Sequence, residues 1–224
     1  MTDLEIEALV TSLIVSGRAL VFALPLAIAL AYLLARVKFP GHSIVNAVTY
    51  APLILPPVVV GYLLLLTFGI RGPIGSIFFE HFNIRIAFTS TAASIATAVM
   101  TLPMMVRAVR LSLEAQDPGL DEAARTLGAK LWDRIFSLHL PLAWPGIIAA
   151  AVLGFAAGLG EFGAVIMFAG NVQGETQTLP LAIYGAMNQI DGEAIAARLA
   201  AISLTVALAG LMISEAIARY GARR

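Results

Sequence analysis

Five stretches of this chain, residues 11–35, 44–69, 86–111, 143–169 and 196–218, each run for more than twenty residues with at most two charged side chains. That pattern constrains the fold more than any other feature, because about 20 mostly apolar residues let a helix cross a hydrocarbon core. A helix also satisfies its own backbone in lipid, which an open strand or loop cannot. Only 12% of the 224 residues are charged and 59% are hydrophobic, whereas a soluble domain carries about 25% charged residues. Too few charges remain to coat a water-facing surface. The expectation is an all-α, polytopic helical membrane protein with about five transmembrane helices, forming one domain over residues 1–224. A further apolar stretch, Leu179 to Ile190, lies between Gln177 and Asp191. It is too short to span and reads as a re-entrant or surface helix.

Charge placement orients the chain. With the N-terminus outside, ten basic residues face the cytoplasm: Arg36, Lys38, Arg107, Arg110, Arg125, Lys130, Arg134, Arg219, Arg223 and Arg224. Four remain at the outer side, Arg18, Arg71, Arg85 and Arg198. Positive residues stay inside, so the N-terminus is expected in the periplasm and the C-terminus in the cytoplasm. No Lys or Arg precedes Arg18, and a cleavable signal peptide needs a basic start, so the first apolar segment is expected to stay. The 14 basic and 14 acidic residues cancel, which argues against a nucleic-acid partner. Cysteine is absent, which excludes disulfides and thiolate metal sites. The spans carry Pro25, Pro52, Pro56, Pro57 and Pro103. Each removes a backbone donor, so breaks or kinks are expected there, facing neighbours or a wet cavity.

Between the third and fourth spans, residues 112–141 form a charged island. Asp117-Pro118 is a helix start, with Asp as N-cap and Pro at the first helical position. Leu120, Ala123, Ala124 and Leu127 then follow helical spacing, and the two alanines let another surface approach closely. Gly128 is placed to take a left-handed turn. A second short helix presents Trp132, Ile135 and Phe136, and Pro141 opens the next span. Glu122 and Arg125 are spaced to pair. Headgroup-bound helices have a strongly basic face. Here Asp121, Glu122 and Asp133 alternate with Arg125, Lys130 and Arg134, which suits a protein partner.

The spacing Glu122-Ala123-Ala124, Gly128, Leu138-x-Leu140-Pro141 resembles the EAA loop through which ABC-importer permeases dock their ATPase. Four further stretches resemble the permease subunits of molybdate ABC importers: Ala51 to Tyr62, Leu102 to Arg107, Leu159 to Ala164 and Gly174 to Pro180. The match covers nearly the whole chain in order. It implies a type I ABC importer permease (MetI-like) fold in the cell inner membrane, importing molybdate. It also implies a homodimer, two ATPase subunits and a periplasmic molybdate-binding protein. Glu122, Ala123, Ala124, Gly128, Leu138, Leu140 and Pro141 become the ATPase-docking residues. Tungstate, sulfate and thiosulfate importers remain alternatives. A Walker A loop needs Gly-Lys, whereas Lys38 follows Val37 and Lys130 follows Ala129. Energy is therefore expected in trans, with ATP and Mg held by the partner and no cofactor held by this chain.

Candidates for the pathway or its gate are Arg18, Glu161, Gly160, Gly163, Pro56 and Pro57. Arg18 and Glu161 lie at matched depths, roughly 10 Å inside the outer ends of their spans, and a lone charge there needs a partner or water. They are expected to pair, within one chain or across the dimer. In the family that the chain resembles, an arginine often precedes the Gly-Glu-Phe-Gly stretch; here Ala156-Ala157-Gly158 departs from that, and Arg18 is the expected replacement. Gly154, Gly158, Gly160 and Gly163 form a packing face or dimer seam. His42, His81 and His139 are scattered and read as surface or interfacial residues, with no metal-ligand spacing. An intramembrane enzyme would need Gly-x-Ser-x-Gly or His-Glu-x-x-His, and neither occurs. An ATPase-independent channel would have no use for the hairpin.

Overall fold

A computed structural model describes residues 2–221, with side chains described through Gly210 and at Met212. All of its regular structure is helical. Helix α1 (Asp3–Arg36) starts in a capping box, in which Thr2 N–H donates to Glu5 and Glu5 N–H donates to the Thr2 hydroxyl. It runs unbroken through Pro25. Ala8, Ser12, Ser16, Ala19, Ala23, Ala27 and Ala31 form its buried stripe. Small side chains at that spacing let a second helix lie close along it.

That second helix is α5 (Ser90–Glu114), which also continues through its proline, Pro103. The two run parallel: Arg36 Nη2 meets the Leu113 carbonyl at 2.6 Å, and Arg18 Nη1 meets Ser90 Oγ at 3.1 Å. α9 (Trp144–Leu159) returns antiparallel on α5 through Gly146, Ala150, Gly154 and Gly158. A Cβ on Gly146 would run into Ser112 Cβ, and one on Gly158 would sit 2.9 Å from Thr97 Cγ2. The glycine row is thus packing within one chain, which is how helices without a hydrophobic drive gain contact.

Two of the five expected spans are broken. α2 (His42–Ile54) tolerates Pro52, but the chain then turns by 117° into α3 (Pro57–Phe68). A residue before proline is driven out of the helical region. Leu55 and Pro56 both stand in that position and are extended, with ψ 142° and 134°. Tandem prolines therefore break a helix that single ones leave whole. The fourth span pairs α9 with α10 (Gly163–Phe168), interrupted at Gly160–Phe162. α1, α5 and the stretch Glu193–Gly210 of α12 (Glu193–Gly221) are long and apolar enough to cross unaided.

α11 (Leu179–Met187) is short, as expected of 179–190, and packs on α1 and α12. Its first N–H donates to Ser12 Oγ at 2.7 Å, and nearby Arg198 pairs with buried Glu5 at 2.8 Å. α4 (Gly75–Phe82) is a short helix between α3 and α5. Arg219 and Glu215 carry side chains outside the described set, and Arg223 and Arg224 lie outside the described residues.

Candidate docking hairpin and helix-break junction

The polar island folds as the capping signals indicate. Asp117 Oδ1 accepts from Gly119 N–H at 2.8 Å and starts α6 (Pro118–Thr126). Gly128 takes φ +83° and turns the chain, a conformation that a side chain with a Cβ rarely adopts. α7 (Leu131–Arg134) follows, then a π turn over Ile135–His139, then α8 (Leu140–Leu142). The Leu140 N–H bonds back to Ile135, one residue wider than an α turn, and Pro141 has no N–H with which to restore α register.

Beneath the hairpin lies a polar knot that spacing alone did not reveal. Asp121 accepts from Arg134 Nη1 at 2.7 and 2.9 Å, forms an ion pair with Arg125 Nε at 3.1 Å, and lies 3.1 Å from His139 Nε2. His139 Nδ1 lies 2.8 Å from Gln116 Oε1, and Gln116 Nε2 donates to the His139 carbonyl at 2.9 Å. Arg36 reaches the same Gln116 at 3.1 Å. One chain of contacts thus ties α6, the π turn, α5 and α1. Burial pushes the Asp121 carboxyl up. The hydrogen bonds from Arg134 and His139, with the charges of Arg134 and Arg125, outweigh it and hold the group below its ordinary value.

Two expectations need correction here. Arg125 pairs with Asp121 at i, i+4, not with Glu122, which is exposed and turned outward. His139 is only 3% exposed and belongs to the knot, so it is no surface histidine.

Above the knot the hairpin is apolar and uncovered. Leu120, Leu127, Leu131, Trp132 and Phe136 are all exposed, Leu127 by 87%. The Trp132 and Phe136 rings stack with centroids 6.0 Å apart. Glu122 and Ala123 are exposed beside them, while Ala124, Leu138 and Leu140 are half-buried and Pro141 is exposed. A stiff polar base under a bare apolar crown is the form of a protein-binding surface.

The pathway candidates divide. Pro57 and Gly163 meet: a Cβ on Gly163 would sit 2.7 Å from Pro57 Cβ and 3.4 Å from Val58 N. Gly61 lies equally close to the Ala164 backbone. The two helix breaks therefore pack against each other, with Gly160 exposed at the edge and Pro56 and Pro57 bare on the outside. Glu161 Oε1 caps α10 by accepting from Ala164 N–H at 2.9 Å. Arg18 is not part of this group. The Arg18–Glu161 pair expected within one chain does not form among the described residues; Arg18 bonds Ser90 instead. Ser16 faces Gly158 of α9, and two residues of helix turn Arg18 about 200° further, to the opposite side.

Residues 23–222 match the family model described as "Binding-protein-dependent transport system inner membrane component". The chain belongs to this family. It is therefore a multi-pass inner-membrane permease of the binding-protein-dependent type. The permease is 50% identical over 224 residues to the molybdenum transport system permease protein ModB of Escherichia coli (strain K12), covering 100% of this chain and 98% of that one. With the sulfate transport system permease protein CysT of the same organism it shares 34% over 194 residues, 87% of this chain and 70% of the other. Its backbone superposes on a bacterial alginate ABC transporter in complex with its pentasaccharide-bound periplasmic protein, with a TM-score of 0.79 at 22% identity, covering 98% of this chain and 80% of that one. The last likeness establishes the ABC importer permease fold.

Proposed function

We propose that this permease carries molybdate into the cell, driven by an ATPase docked on the hairpin. The observation that carries the reading is the uncovered crown of Leu127, Trp132 and Phe136 over the Asp121–His139 knot. Such a surface receives a partner and passes its movement into α5 and α1 without bending. The greater identity to the molybdenum relative than to the sulfate one favours molybdate as cargo. No lysine follows glycine in the chain, so ATP and Mg belong to the partner and this chain binds no cofactor.

The bare junction of Pro56, Pro57 and Gly160 supports a second copy. Interrupted backbone at membrane depth needs protein or water around it, and two copies facing each other supply both. Two ATPase subunits and a periplasmic binding protein complete the assembly. Arg36, Arg110, Arg125 and Arg134 gather at the hairpin end, which supports a cytoplasmic hairpin and C-terminus and a periplasmic N-terminus.

The test is uptake of radiolabelled molybdate into proteoliposomes containing the permease and its ATPase, with binding protein outside and ATP supplied to the ATPase. Uptake is expected to need both partners and to be lost in Gly128→Val, whose branched side chain resists φ +83°. Uptake by the permease alone would overturn the reading.

A further inference from the structure

At the hairpin end of α5 a cavity of about 320 Å³ is lined by Asn46, Tyr50, Arg107, Arg110, Leu111 and Glu114. Since α5 is continuous to Glu114, Arg107 and Arg110 lie about 10 and 6 Å back from its last residue. A cation at that depth needs a counter-charge or water.

Arg110 has its partners: Nε donates to Glu114 at 2.7 Å and Nη1 to Asn46 Oδ1 at 2.8 Å. These bonds, with the Tyr50 hydroxyl beside the guanidinium, fix Arg110 and leave the Asn46 amide nitrogen free to donate. Arg107 is exposed, and among the described residues no ion pair or side-chain hydrogen bond engages it. Glu114 is committed to Arg110, so the cavity keeps one uncompensated positive charge. A neighbouring cavity of about 400 Å³ shares Arg110 and Glu114 and adds Arg36, Lys38 and His42. The positive field thus extends toward the hairpin end. α2, which supplies Asn46 and Tyr50, ends just before the Pro56–Pro57 break and so links the cavity to the junction.

We infer that Arg107, Arg110, Asn46 and Tyr50 form a binding site for the imported tetrahedral oxyanion, on the hairpin side of the helix-break junction. The inference deepens the proposed function and rests on it. The free groups are donors, which suits an ion whose oxygens only accept. Arg107 offers the planar fork that grips two oxygens at once. Such a site holds the ion weakly, as one on a conduction route must if the ion is to leave. Phospholipid phosphate has the same chemistry, and the experiment separates the two.

The permease–ATPase complex is placed in nanodiscs of pure phosphatidylcholine, and equilibrium binding of radiolabelled molybdate is measured without binding protein. In parallel, ATPase retention and binding-protein-dependent uptake are measured in liposomes. Arg107→Gln is expected to weaken binding and slow uptake by about tenfold or more, the cost of one charge-assisted contact. Arg107→Lys should recover part of both, and Tyr50→Phe should show a smaller loss; ATPase retention should be unchanged throughout. Unaltered binding and uptake in Arg107→Gln would overturn the site. Loss of ATPase retention would overturn it as well, making Arg107 a partner contact. Abolition of molybdate binding when phosphatidylglycerol replaces phosphatidylcholine, with uptake intact, would assign the cavity to lipid. Wild-type complex that takes up no molybdate sinks the proposed function itself, whereas active wild type with an equally active Arg107→Gln sinks this inference alone.

Discussion

The hairpin and the helix-break junction are both places where α-helix stops, and they stop it by opposite means. At the hairpin, a left-handed Gly128 and a π turn are held by a closed set of charged hydrogen bonds around Asp121. At the junction, tandem prolines and a glycine-bounded gap are held by close apolar contact and one carboxylate cap, Glu161. The hairpin's polar base is closed within one chain and only its apolar crown is exposed. The junction leaves Pro56, Pro57 and Gly160 exposed, the face on which the proposed function seats a second copy. A part that receives force has to be stiff by itself. A part that opens and closes need be stiff only in the assembly.

Asp121→Leu tests the stiff half hardest. It leaves the part-buried Arg134 guanidinium and the His139 ring, with side chains 11% and 4% exposed, without their carboxylate, and a lost hydrogen bond to a charged group costs about 1.5–3 kcal/mol. The expected result is a lower midpoint in thermal unfolding of the detergent-solubilised permease, together with loss of ATPase co-purification. An unchanged midpoint would mean that the knot does not hold the hairpin. The same carboxyl sets a pH dependence. Its folded value is depressed, so its stabilisation is present above the ordinary carboxylate range and disappears as pH falls through the depressed value. ATPase retention should therefore survive mild acidification as far as Asp121 is concerned, and Asp121→Asn should remove that acid-side transition.

Trp132→Ala should separate docking from folding. Trp132 is 66% exposed, so stability should move by less than about 0.5 kcal/mol. A large aromatic anchor at an interface is worth about 2 kcal/mol or more, so ATPase affinity should fall by roughly thirtyfold. Equal affinity in titration of the ATPase would remove the crown from the docking surface. On the junction side, Gly61→Ala places a Cβ 2.6 Å from the Ala164 carbonyl oxygen. Because that neighbour is backbone, relief requires α3 and α10 to separate, at about 1–3 kcal/mol. Gly154→Ala would instead meet the flexible Met105 Cε and should be milder; the reverse order in unfolding midpoints would contradict the packing.

The two halves also differed in how far residue order disclosed them. Caps and turns are local, so Asp117, Pro118 and Gly128 marked the hairpin before any fold was known. Its knot was hidden because Arg36, Asp121 and His139 come from three elements and Gln116 from the loop between α5 and α6, and because the 3.6-residue period favours neither Asp121 nor Glu122 as the partner of Arg125. The prolines divide for a different reason. Pro25, Pro52 and Pro103 each cost one hydrogen bond in a helix that continues through them, whereas Pro56 and Pro57 constrain two consecutive residues. The break at Gly160–Phe162 has no proline at all. It sits where α10 turns to pack on α3, a contact between segments about a hundred residues apart that no window of sequence displays.

Glu161 tests the idea that the junction moves. Its side chain satisfies the Ala164 N–H at the start of α10, and loss of such a cap costs about 1 kcal/mol. If the cap only stabilises, Glu161→Gln should retain part of it through the amide oxygen, Glu161→Ala should lose it, and uptake should follow stability in both. If the junction opens during transport, the cap is made in one state and broken in another, and removing it shifts the balance between them. By that account Glu161→Ala would change the ratio of ATP hydrolysed to molybdate taken up, while stability falls only by the cost of the cap. Measuring both in the same proteoliposomes decides the matter: a constant ratio across Gln and Ala variants makes Glu161 a structural cap, and a rising ratio places it at the moving edge of the junction.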